Sequence, residues 1–126
     1  MKDLMWLLLI LLSISCSNRI EENMEIKEAT IVEMVLYNIN DGINLKDAQK
    51  EIMRLNNFIS KQKGFVSRNT SKSEDGQFLD IVYWTDLNSA KSASEKAMKD
   101  PKVLESFKVM DENNMIFKYF TIFNKN

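Results

Sequence analysis

Residues 64–84, GFVSRNTSKSEDGQFLDIVYW, decide the fold. Two β-prone runs, Phe65 to Ser73 and Gln77 to Trp84, meet at Asp75-Gly76, a dipeptide that readily takes the positive φ values of a tight hairpin. The two arms differ in character. After Phe65 and Val66 the first arm is polar through Ser67, Arg68, Asn69 and Thr70, as in an edge strand protected by charge and short hydroxyls. The second arm, Phe78-Leu79-Asp80-Ile81-Val82-Tyr83-Trp84, is apolar on both faces except at Asp80, as in a central strand. It runs into TDLNSA (85–90), where Asp86 is placed to cap a helix.

The chain on either side supplies a matching set of elements. Upstream, Ala29–Asn38 reads as a strand with the faces Ile31, Glu33, Val35, Tyr37 and Val32, Met34, Leu36, Asn38, both largely apolar. Asn44 then caps a helix whose apolar stripe is Leu45, Ala48, Ile52, Leu55 and Ile59. Lys61, Lys63 and Gly64 suit its C-terminal end. Downstream, Leu87, Ala90, Ala93 or Ser94, and Ala97 give a small-residue helix that can sit close to a sheet. Asp100-Pro101 interrupts it, and Val103, Leu104 and Phe107 define a further short helix. Residues 114–123 alternate as a last strand, apolar on both faces.

The order β-α-β-β-α-β predicts a ferredoxin-like α+β fold, with two right-handed crossovers placing both helices on one face of a four-stranded antiparallel sheet. Three strands carry apolar residues on both sides, so the other face is too apolar to meet water. A second copy packed sheet against sheet is the simplest cover, which predicts a homodimer.

Residues 1–15 carry a different signal. Leu4–Leu12 is nearly continuous leucine, too short to span a bilayer but suited to the apolar region of a signal peptide. Ser13 and Ser15 are small residues ahead of Cys16, and this stretch resembles the lipobox of bacterial lipoproteins, with Ser13 where leucine is usual. The resemblance implies a signal peptide over 1–15 and lipidation of Cys16. Residues 16–28 then form a polar tether, and the folded domain spans 29–126. It places the protein in the bacterial cell envelope, lipid-anchored to a membrane outside the cytoplasm.

The 126 residues hold 17 basic and 18 acidic side chains and no histidine. The near-neutral balance gives no reason to invoke nucleic acid. The missing histidine excludes Ser-His-Asp and Cys-His nucleophilic sites, histidine-ligated zinc and a proximal histidine for haem. The lone Cys16 excludes an internal disulfide. No metal site and no cofactor is expected.

From GFVSRNTSKSEDGQFLDIVYW through the alanine-rich helix to the Pro-containing turn, the chain resembles the dimeric α+β barrel superfamily, in particular its antibiotic-biosynthesis-monooxygenase-like members. The resemblance implies a pocket lined by Asn38 and Trp84, with Tyr37, Tyr83 and Tyr119 as phenolic partners. Antiparallel pairing, however, sets Asn38 and Trp84 near 20 Å apart, six residues at about 3.3 Å each. Asp80, a lone carboxylate on an apolar strand, is a candidate general base if buried and a structural partner of Arg68 if not. Two functions stay open: a dimeric module binding a small apolar or aromatic ligand without catalysis, and a cofactor-independent monooxygenase acting on a phenolic or quinone-like substrate.

Overall fold

The computed structural model describes residues 27–126, and the expected signal peptide, the lipidation of Cys16 and nearly all of the tether lie outside them. The elements are β1 (Ile31–Tyr37), α1 (Leu45–Arg54), α2 (Asn56–Ile59), β2 (Phe65–Lys72), β3 (Phe78–Trp84), α3 (Leu87–Ala97), α4 (Pro101–Phe107), a 3-10 turn (Glu112–Asn114) and β4 (Ile116–Thr121). The sheet order is β2-β3-β1-β4, antiparallel throughout. This is the ferredoxin-like α+β fold that the order of elements predicts.

Local chemistry sets the element ends. Asn44 Oδ1 accepts from the backbone N–H groups of Lys46 (2.9 Å) and Asp47 (3.3 Å), starting α1. The single helix expected over 45–59 breaks at Leu55 into α1 and α2. Asp86 Oδ1 accepts from Ser89 N at 2.7 Å and starts α3. Asp100 caps α4, with Pro101 in its first turn, where the missing N–H costs nothing. In the hairpin only Gly76 has positive φ; Asp75 does not. The connection is therefore a longer loop, closed by Gly76 N donating to Ser73 O (3.1 Å) and Ser73 N to Gln77 O (2.8 Å).

Gly64 marks a close approach between two elements. Its φ is +80°, and a Cβ there would stand 2.5 Å from Ser89 Cβ and 2.8 Å from Thr85 Oγ1. Glycine alone lets the entry to β2 press against the start of α3.

Alternation along the central strands splits the sheet into two faces. Tyr37 and Phe78 pack with Ala48, Ile52 and Leu55 of the first helical segment, while Ile31, Val82 and Trp84 pack with Ala90 and Ala93 of α3. The opposite face presents Val32, Met34, Leu36, Leu79, Ile81 and Tyr83, all half-buried, together with exposed Ile116 and Phe120 of β4. The polar β2 is an edge, as its sequence predicts. The other edge is β4, apolar on both sides except at the exposed Lys118, which lies between Ile116 and Phe120 on the outer face.

Candidate functional site

The helices do not close fully over the sheet. Between them lies a cavity of about 460 Å³, walled by Glu33, Val35 and Tyr37 of β1, Asp80, Val82 and Trp84 of β3, and Ala93, Ser94 and Ala97 of α3. Val103, Phe107 and Met110 complete the far wall, while Met98 and Phe117 line it and are themselves exposed, marking its mouth. The small residues of α3 create the space, because alanine and serine fill little of the gap that leucine would. Tyr119 hangs beside the mouth, its hydroxyl 2.9 Å from Ser94 Oγ and its ring edge-to-face with Phe117.

Within these apolar walls sits a cluster of polar groups. Arg68 reaches in from β2 with its side chain 3% exposed. Its Nε donates to Asp80 Oδ1 (2.8 Å) and its Nη2 to Asp80 Oδ2; Nη1 donates to Ile52 O (3.1 Å) and Asn56 Oδ1 (2.7 Å). A buried guanidinium is stable only when so fully partnered. Three neighbouring groups lack partners: Glu33 Oε2, Tyr37 Oη and Trp84 Nε1 are buried with no hydrogen bond.

Burial pushes the Glu33 carboxyl up to about 7, and the Asp80 charge adds to the push. Arg68 opposes it, as does the Trp84 indole, whose N–H lies close to Glu33 without completing a hydrogen bond. Burial, and then Asp80, also raises the Tyr37 phenol, which is neutral at any ordinary pH. Tyr119 is raised for the same first reason, partly offset by Ser94.

The candidates named from the sequence fall in different places. Tyr37, Asp80 and Trp84 line the cavity. Tyr119 stands at its rim. Tyr83 does not belong with them, because alternation turns it to the opposite sheet face while Trp84 faces the helices. Asn38 is excluded as well: it is exposed one residue beyond Tyr37, which pairs with Phe78, whereas Trp84 pairs with Ile31 at the other end of β1. Six strand steps of about 3.3 Å separate those two ends. Asp80 as a free base gives way to Asp80 as the ion-pair partner of Arg68. The buried carboxylate left without a partner is Glu33, which in the sequence is one acid on a largely apolar strand face. The available signal was the one applied to Asp80, a lone acid among Ile31, Val35 and Tyr37 on a central strand. Among the described residues no group of three or more acidic, cysteine or histidine side chains is arranged to hold a metal ion.

No protein-family model matches the chain, and no curated protein matches it in sequence. The fold places it among ferredoxin-like α+β proteins, many of whose solved structures superpose on it. They include a cofactor-independent oxygenase, SnoaB, from Streptomyces nogalater: 16% identity, TM-score 0.62, covering 78% of this chain and 97% of that one. A dimeric ferredoxin-like protein from an uncultured marine organism has 10% identity and TM-score 0.63, over 79% and 93%. The monooxygenase from the gene ActVA-Orf6 of Streptomyces coelicolor, in complex with nanaomycin D, has 13% identity and TM-score 0.60, over 81% and 96%. At these identities the likeness is one of fold.

Proposed function

We propose that the domain is a homodimeric module that binds a small aromatic ligand, held at a membrane surface of the bacterial cell envelope by a lipidated Cys16. The cavity beside Trp84 carries this reading. Its volume lies within the range of small-molecule sites, and apolar walls with a few polar atoms are the usual make-up of such sites. The apolar sheet face supports a second copy as its cover, and the likeness to a dimeric ferredoxin-like protein fits that arrangement. Residues 4–16, an apolar run followed by small residues and Cys16, support the lipid anchor.

Trp84 reports on the cavity directly. The chain has two tryptophans, and Trp6 lies within the expected signal peptide, so Trp84 is the sole emitter in the processed protein and, with Trp6→Phe, in the unprocessed chain. Titration with 1,4-naphthoquinone is expected to quench it saturably, and Ala97→Phe, which fills the cavity, to abolish saturation. Linear collisional quenching in both proteins rejects the binding reading. Fatty-acid labelling that persists in Cys16→Ser rejects the anchor.

A second reading, a cofactor-independent monooxygenase acting on a phenolic or quinone-like substrate, draws support from an ionisable carboxyl within the same cavity. Oxygen uptake with a panel of hydroquinones separates the two. Turnover that Trp84→Phe leaves unchanged removes the cavity from the reaction.

A further inference from the structure

We propose that Glu33 is the group that receives the ligand's polar end, accepting a hydrogen bond from a ligand hydroxyl, so that the ligand is a phenol or hydroquinone rather than a bare ring or a carboxylate. The inference rests on the binding reading above and specifies its ligand class. Glu33 is only 9% exposed, forms part of the cavity wall and leaves Oε2 without a partner. Its strand partner is Val82, which sits between Asp80 and Trp84 on β3. Arg68 offsets its charge only in part and makes no hydrogen bond to it, because that guanidinium is committed to Asp80, Ile52 and Asn56. A buried acceptor in this state is satisfied by a donor from the ligand. An anionic ligand would meet three carboxylates, Glu33, Asp80 and Glu112, and no cation among the residues lining the cavity.

The preference depends on pH. The charged and titratable groups facing Glu33 are Asp80 of β3, Arg68 of β2, Tyr37 of its own strand, Tyr119 of β4 and Glu112 of the 3-10 turn; α3 contributes only the neutral Ser94. With its carboxyl raised to about 7, Glu33 is ionised at pH 8 and protonated at pH 5.5. The charge-assisted hydrogen bond is then present at the higher pH and replaced by a weaker one at the lower.

Calorimetric titration of the full chain with 2-naphthol and with 2-methoxynaphthalene, which has the same rings but no donor, tests this. At pH 8 the naphthol is expected to bind roughly tenfold more tightly, from the strength of a hydrogen bond to a charged group. The preference should fall to within about threefold at pH 5.5 and in Glu33→Gln at pH 8, since a neutral acceptor makes the weaker bond. Equal binding of the two ligands to the wild-type chain at pH 8, or a preference unchanged at pH 5.5, overturns the role of Glu33 while the cavity reading survives. Failure of both ligands to bind overturns both.

Discussion

Replacing Glu33 with glutamine should make the protein more stable, and by an amount that depends on pH. The carboxyl titrates at an ordinary 4.5 in the unfolded chain and at about 7 in the fold. Below about pH 4.5 it is protonated in both states and contributes no pH-dependent difference. As pH rises the unfolded chain ionises first, so unfolding becomes easier until the folded carboxyl also ionises near 7, and the effect is flat above that. At ~1.4 kcal/mol per pH unit the full penalty is about 3 kcal/mol. Glutamine keeps the shape and cannot ionise. Urea unfolding of both proteins at pH 4.5, 6 and 8, at one protein concentration, should therefore show the variant gaining about 3 kcal/mol on the wild type across that range. For a domain of this size such a gain at pH 8 is on the order of 10 °C in Tm. Stability curves that run parallel in pH would refute the reasoning, because they would mean that Glu33 reaches solvent or a partner in the folded protein.

The remaining predictions concern the frame around the cavity. Arg68→Met leaves Asp80 buried without its partner and should cost about 3–5 kcal/mol, whereas Arg68→Met with Asp80→Leu should recover much of that loss; urea unfolding distinguishes them. Gly64→Ala combines a positive φ with a contact 2.5 Å from Ser89 Cβ and should destabilise by roughly 2–3 kcal/mol, read by thermal unfolding. Ile81→Glu places a charge at the centre of the half-buried apolar sheet face; light scattering should show a dimer for the wild type and a monomer for the variant, and identical masses would remove that face from the interface.

Much of the architecture was readable from residue periodicity. The polar β2 and the two-faced β1 and β3 announce their places in the sheet, Asn44 and Asp86 announce two helix starts, and Asp100-Pro101 announces the break before α4. Position 55 was less legible, because the apolar stripe continues through the break between α1 and α2. The turn conformation at Asp75 was also missed: an Asp-Gly pair suits several hairpin loops, and the pairing of Ser73 with Gln77 selects one of them.

The site is a different matter, since a one-residue step along a strand reverses the face a side chain occupies. That is why Tyr83 and Trp84, neighbours in sequence, end on opposite sides of the sheet, and why Glu33 meets Trp84 across fifty residues of chain. By itself the sequence determined the order of elements, the alternation of faces and the absence of histidine chemistry, because propensity and periodicity are local. Only the tertiary structure decided which carboxylate is free. Arg68 and Asp80 find each other through the β2–β3 register, and the guanidinium that satisfies Asp80 is then unavailable to Glu33. Partnership between buried charges is a property of packing, and no single strand carries it.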